Sequence, residues 1–144
     1  MSAVSLSLAT TPTALLVGAA IALGVAGCGF AVEEPDLFLL TRTGQGQTLT
    51  LLVNDSGTIR CDGHPAKAIS DKLLIAARDL ADNLASDAKA KLQIATVANS
   101  VYFYTVKLPN GTITFPDTAA ASHPELAQAE LFVLQATQGP CAGS

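Results

Sequence analysis

The fold of this chain is decided by residues 100–115, which read SVYFYTVKLPNGTITF. Apolar and polar side chains alternate on both sides of Asn110-Gly111, and this dipeptide is typical of a two-residue type I′ turn between antiparallel strands. A turn over these two residues pairs Leu108 with Ile113 and sets the register of the residues that follow. The stretch therefore predicts a β-hairpin.

The alternation sorts the hairpin side chains onto two faces. One face carries Tyr102, Tyr104, Val106, Leu108, Ile113 and Phe115. We expect this face to pack against helices and form the core. The other face places Val101 and Phe103 beside threonines and a lysine, where large apolar side chains need a cover or a partner. Either the segment 86–99 covers them, or they belong to a partner-binding patch.

Three strands are predicted ahead of the hairpin, over 36–43, 48–53 and 58–61, because apolar and threonine-rich runs there are separated by glycine-containing turns. A helix begins after Ser70, a good N-cap residue. Its apolar stripe at helical spacing consists of Leu73, Ala77, Leu80 and Leu84. The pattern over 86–99 leaves two alternatives: this segment, with Lys89, Lys91, Leu92 and Ile94, either extends the helix by a turn or forms an exposed loop.

A second helix follows the hairpin and begins at His123-Pro124-Glu125, since proline is favoured in a first turn and a carboxylate suits a helix N-terminus. Its apolar stripe consists of Leu126, Ala129, Val133 and Ala136, widened by Leu131, Phe132 and Leu134. We expect this helix to be well buried. Together the elements predict an α+β domain with a small antiparallel sheet, in the order β-β-β-α-β-β-α, and both helices on one face of that sheet.

An uncharged apolar segment, Ala14–Val32, precedes the domain and contains Val25-Ala26-Gly27-Cys28. This tetrad resembles the lipobox of bacterial lipoproteins, and the alanine-rich, lysine-poor composition is similar to that of small actinobacterial lipoproteins. The resemblance implies an apolar signal helix over 1–27 that is cleaved, a lipidated tether over 28–35 and one domain over 36–144. Lipid on the Cys28 thiol would hold the protein on the extracytoplasmic face of the cell membrane.

The alternative for the apolar segment is an uncleaved membrane anchor, because Ala14–Val32 is close in length to the roughly 20 apolar residues that span a bilayer. A secretory signal normally begins with positive charge, whereas the first lysine or arginine of this chain is Arg42. Both interpretations place the domain outside the cytoplasm.

The chain has three cysteines, Cys28, Cys61 and Cys141. When Cys28 carries lipid, the other two remain as an even pair in an oxidising compartment, where disulfides persist. The sequence therefore predicts a Cys61–Cys141 disulfide. A zinc site built on Cys61 and His64 is disfavoured, because a second pair of ligands at matching spacing is missing.

Composition and motifs argue against several classes of function. The net charge is -4 at pH 7, and the sequence has no cluster of lysines and arginines of the kind that binds a nucleic-acid backbone. A catalytic Ser-His-Asp triad could be assembled from Ser70, His64 and Asp62. The sequence around them lacks a nucleophile elbow and an oxyanion-hole signature. We expect no enzymatic activity, no cofactor and no metal.

The order strand, glycine turn, strand, helix, hairpin, helix is similar to that of the emfourin and subtilisin-inhibitor-like proteinase inhibitors. The passages that carry this resemblance are 41–46 (TRTGQG), 73–84, 104–116 and the final helix from Pro124. The resemblance implies an extracytoplasmic inhibitor that presents the 86–99 loop, with Lys89 and Lys91 as specificity residues. Subtilisin-inhibitor-like proteins brace their reactive loop with a nearby disulfide, and no cysteine flanks 86–99 in this chain.

The sequence therefore favours a membrane-tethered lipoprotein that acts as a non-enzymatic binding module. Its partner would be a protein or another component of the cell envelope, bound through the sheet face that carries Val101 and Phe103 or through loops. The proteinase inhibitor remains the alternative.

Overall fold

The computed structural model describes residues 35–143, so the predicted signal peptide, Cys28 and nearly all of the tether lie outside the described residues. The elements are β1 (Asp36–Gly44), β2 (Gln47–Asn54), β3 (Thr58–Cys61), β4 (Lys67–Ala68), α1 (Asp71–Lys89), β5 (Phe103–Leu108), β6 (Gly111–Pro116), a 3₁₀ helix (Asp117–Ala121) and α2 (Pro124–Gln138). The six strands form one antiparallel sheet in the spatial order β4-β3-β2-β1-β5-β6. The predicted α+β class is confirmed.

The core lies between the two helices and one face of the sheet. The sheet contributes Phe38, Leu40, Leu51, Val53, Ile59, Tyr104, Val106, Ile113 and Phe115 to it. From α1 come Leu73, Ala77, Leu80, Leu84 and Ala88, which is the predicted stripe with one further turn. Alternation along the strands and helical spacing along α1 therefore point the apolar side chains at each other, as expected from their two periods.

The helix α1 begins where the sequence predicts. The Ser70 hydroxyl accepts a hydrogen bond from the backbone N–H of Leu73 at 3.2 Å, which satisfies one of the free donors of the first turn. The helix runs to Lys89, so the first part of 86–99 extends it. The chain then pairs with the outer edge of β6, where the Ile94 N–H donates to the Thr114 carbonyl at 2.8 Å. This contact covers a strand edge that would otherwise be open.

The hairpin exists, but its predicted turn and register are wrong. Leu108 pairs with Gly111 rather than with Ile113, so the two turn residues are Pro109 and Asn110. Asn110 does not have the positive φ that a type I′ turn needs. Proline favours the first central position of an ordinary turn, because its ring fixes φ near −65°. The error shifts the pairing by two residues, and two is the side-chain period, so the predicted assignment of faces holds.

Tertiary contacts with α1 explain the presence of Asn110 and Gly111 instead. The Asn110 side-chain amide donates to the Ala85 carbonyl of α1 at 2.8 Å. A Cβ on Gly111 would overlap the Ala88 carbonyl oxygen. Asn110 and Gly111 therefore dock the hairpin turn against the last turns of α1.

The helix α2 is less buried than predicted. Leu126, Ala129, Phe132, Val133 and Ala136 are buried. Leu131 is 52% exposed and Leu134 is 50% exposed, so the expectation that they widen the buried stripe is wrong. Both residues lie on the side of the helix away from the buried stripe, because successive residues are about 100° apart on a helix of 3.6 residues per turn.

The predicted disulfide joins Cys61, at the end of β3, to Cys141, just after α2. The two Cα atoms are 5.7 Å apart, and both residues are buried. The Lys67 ammonium donates to the Pro140 carbonyl at 2.9 Å beside the bridge. The chain beyond α2 is therefore fastened to the β3–β4 edge of the sheet.

Candidate functional site

The four residues predicted to bind a partner lie at two separate places. Lys89 is in the last turn of α1, and Lys91 follows with a positive φ of 56°; both are exposed. Phe103 is the first residue of β5. The last turn of α1, which carries Lys89, lies against the hairpin turn at the other end of that strand. At about 3.4 Å per residue, a six-residue strand separates its ends by more than 15 Å. The structure does not gather these residues into one patch.

Val101 and Phe103 are not equally placed. Val101 is 48% exposed, so the first of the two alternatives above, that the segment 86–99 covers it, is wrong. Phe103 is half-buried and pairs across the sheet with Thr43 and Pro116. The backbone here is braced by Asp117, whose carboxylate accepts hydrogen bonds from the N–H groups of Val101 and Tyr102 at 3.1 Å.

Residues 95–99 form a continuously exposed loop within the 86–99 segment. Its turn is closed by the Ser100 hydroxyl, which accepts from the Val97 N–H at 3.1 Å, and by the Ser100 N–H, which donates to the Val97 carbonyl at 2.9 Å. The pairing of Ile94 with β6 holds the segment on its other side. Val97 is 54% exposed, so this loop presents an apolar side chain between two anchored ends.

A partly buried carboxylate that was not predicted from the sequence lies on α2. The Oε1 atom of Glu130 is out of contact with solvent and has no hydrogen-bond partner among the described residues. Burial, and then the negative charge of Asp117, raise the pKa of Glu130 from its ordinary 4.5 to about 7. The residue therefore lies in a protein environment that disfavours its charged form.

Tyr104 shares this environment. Burial is the largest cause that raises the pKa of its phenol to about 12, and the charge of Glu130 is the next. Arg42 acts in the opposite direction, because a nearby cation favours the phenolate. Glu130, Tyr104 and Arg42 therefore form one electrostatic cluster at the β1 and β5 ends of the core.

Arg42 also faces a cleft of about 480 Å³. Its guanidinium lies 4.7 Å from the centroid of the Tyr102 ring, which is a cation–π arrangement. The Tyr102 hydroxyl donates to the Gln45 side chain at 3.2 Å. Asp62 lines the same cleft, and its carboxylate accepts from the Thr50 N–H at 2.6 Å. The cleft thus offers one cation and one carboxylate to a ligand.

A second concave surface lies between the helices. It consists of two depressions of about 380 Å³ each, which share Ala76, Asp79 and Gln135 and so form one groove. We call this surface the α1–α2 groove. Its other lining residues are Ser70, Lys72, Leu73, Ile75, Asp82, Asn83, Gln128, Leu131, Phe132, Gly139 and Pro140. At one end the helices are tied together by the Asn83 side-chain amide, which donates to Gln128 at 2.8 Å.

One of the missed features had a signal in the sequence. Glu130 follows Leu126 by four residues and precedes Val133 by three, so helical spacing places it beside the buried stripe. The cleft had no such signal, because Arg42 and Tyr102 are 60 residues apart and meet only when β1 pairs with β5.

Within residues 35–143, no group of three or more histidine, cysteine, aspartate or glutamate residues could hold a metal ion. No helix in the same range has the length and apolar character needed to cross a membrane. Comparison of the chain with protein-family models, with characterised proteins and with solved structures found no match.

Proposed function

We propose that the chain is a lipid-anchored, extracytoplasmic binding module without enzymatic activity, whose partner is a protein of the cell envelope. The observation that carries the proposal is the Cys61–Cys141 disulfide. Disulfides persist in oxidising compartments and are rare in the cytosol. The bridge uses two of the three cysteines, which leaves Cys28 in the lipobox-like tetrad as the one available for lipid.

The geometry of the domain supports binding. Its concave surfaces are open to solvent and combine apolar side chains with charged groups, as in the α1–α2 groove and the Arg42 cleft. Large apolar side chains are exposed at several places, and such side chains mark interaction sites when they gather on one surface. Ile75 and Leu131 both line the α1–α2 groove, one in each of its two depressions.

The mass of the intact protein extracted from membranes tests the anchoring. We expect a chain that begins at Cys28 and carries a diacylglyceryl group, because stable anchoring takes two acyl chains and this group supplies both. Cys28→Ser should release the protein from the membrane fraction or leave an unprocessed precursor. A mass that begins at Met1 without lipid would contradict the proposal and favour the spanning anchor.

Proteinase inhibition is the second candidate, and the braced loop 95–99 favours it. An inhibitory loop must be exposed and held at both ends, and residues 95–99 meet both conditions. Val97, rather than Lys89 or Lys91, would then be the presented side chain. Incubation with a panel of serine and metalloproteinases tests this candidate, because cleavage within 86–99 by the panel, without inhibition, would exclude it.

A further inference from the structure

The α1–α2 groove combines exposed apolar side chains with two carboxylates, those of Asp79 and Asp82, that form no ion pair among the described residues. Ile75 is 57% exposed and Leu131 is 52% exposed, one on each helix. Asp79 and Asp82 line the depression that Leu131 borders, and no lysine or arginine lines that depression. Their neighbour Arg78 is held away by Asp55, to which its Nε donates at 2.6 Å.

The charge is uneven along the groove. Lys72 lines the second depression, together with Ile75 and Asp79. The negative charge is therefore concentrated in the first depression, around Asp79 and Asp82. A ligand that fits both parts needs apolar groups that meet Ile75 and Leu131 and a positive charge at the Asp79–Asp82 end.

Charge also decides between the possible occupants. A second copy of this chain carries the same net charge of -4, and like charges across an interface cost affinity. A membrane surface rich in anionic lipids would repel the carboxylates of Asp79 and Asp82. A segment of another protein that carries lysine or arginine meets neither obstacle.

We propose that the α1–α2 groove binds a segment of a partner protein that places apolar side chains against Ile75 and Leu131 and a lysine or arginine beside Asp79 and Asp82. This is the binding mode of an amphipathic segment in a groove between helices. The apolar side chains supply affinity, and the charges fix the register of the segment. This inference gives a partner class to the binding function proposed above and rests on it.

Selection from a displayed library of random peptides tests the inference. The target is the full chain in nanodiscs, with empty nanodiscs used to remove peptides that bind lipid. We expect enriched peptides that carry leucine or isoleucine with at least two lysines or arginines. Their affinity should fall with added salt, because exposed ion pairs are screened over about 10 Å at 0.1 M salt.

Two leucines of α2 provide a matched pair of variants, since Leu131 lines the groove and Leu134 does not, while their exposure is nearly the same. Leu131→Asp should weaken the selected peptides at least about tenfold, and Leu134→Asp should leave their affinity within about twofold. Replacing Asp79 and Asp82 together with asparagine should remove most of the salt dependence.

Three results would overturn the inference: no enrichment over empty nanodiscs, enriched peptides without basic residues, or an equal loss in the two leucine variants. The anchoring proposal fails in a different measurement, because a mass that begins at Met1 would leave peptide selection unaffected. The two failures are therefore distinguishable.

Discussion

The two helices pack on the same face of one sheet, yet they present different surfaces to solvent. The outside of α1 is charged, with Arg78 and Asp79 among its exposed residues, as solubility requires of a surface helix. The outside of α2 carries Leu131 and Leu134, and the charged residue in the middle of α2, Glu130, has one carboxylate oxygen buried. Folding and solubility account for most of the outer face of α1, where Ile75 is the exception, but not for Leu131 and Leu134 on α2. Within each helix, the buried stripe holds the domain together, and the exposed apolar side chains are available for binding.

The largest effect is expected where α2 ends. The end of α1 is held by noncovalent contact with the hairpin turn, whereas the chain after α2 is held by the Cys61–Cys141 bridge. Replacing both cysteines with serine should lower the free energy of unfolding by about 4 to 5 kcal/mol, the chain-entropy value for a loop of roughly 80 residues. Urea denaturation measures this change. A loss below about 1 kcal/mol would mean that contacts alone fasten this end.

The next effect compares adjacent residues of α2. Phe132 is buried and meets the Phe38 ring edge-on, with the centroids 5.3 Å apart. Phe132→Ala should cost about 3 to 5 kcal/mol of unfolding free energy through lost contacts and a cavity. Leu131→Ala should change it by no more than about 0.5 kcal/mol, because Leu131 is half-exposed. Equal losses in denaturation experiments would show that the outer face of α2 is structural after all.

Glu130 should make stability depend on pH. Its pKa is about 7 in the folded protein and returns to about 4.5 on unfolding, so between these values the folded state holds a proton that the unfolded state releases. The free energy of unfolding should therefore fall as pH rises from about 5 to about 8. The fall should be about 1 to 2 kcal/mol, below the full value of the shift because the side chain keeps some exposure.

The variant Glu130→Gln tests whether Glu130 causes the pH dependence of stability. The variant should match the unmodified chain at pH 5 and be more stable than it at pH 8, as measured by denaturation at both values. Asp82→Asn removes an exposed carboxylate from α1 and should leave the pH dependence in place. If the two variants behave alike, Glu130 is not the source of the pH dependence.

The smallest effect is expected on α1. Arg78 and Asp55 form an ion pair at 2.6 Å, but both side chains are half-exposed. Exposed pairs contribute about 0.2 to 1 kcal/mol, so Arg78→Ala should cost no more than this, and the cost should shrink in high salt. A cost above about 2 kcal/mol, measured by denaturation at low and high salt, would show that the charged face of α1 is also structural.

The sequence predicted what depends on short-range periodicity. The stripe of α1 and its Ser70 cap follow from spacing within one helix, and the faces of the hairpin follow from alternation within two strands. The turn itself was mispredicted because the fixed φ of Pro109 and the docking of Asn110 on α1 outweigh the local preference for an Asn-Gly turn.

The parts that escaped prediction depend on tertiary packing. Apolar identity alone could not tell that Leu131 stays outside while Phe132 lies inside, because α2 has apolar residues around much of its circumference. The α1–α2 groove and the Arg42 cleft exist only after distant elements meet. Lipid attachment at Cys28 and protein binding remain predictions.

The position of β1 has a mechanical consequence. The chain enters the described domain at Asp36 as β1, which lies inside the sheet with β2 on one side and β5 on the other. A pull directed along this strand from the segment before Asp36 would load the hydrogen bonds to both neighbours at once, in shear. A strand at the edge would instead peel away one bond at a time. A domain held by its N-terminal end would therefore resist force applied through whatever it binds.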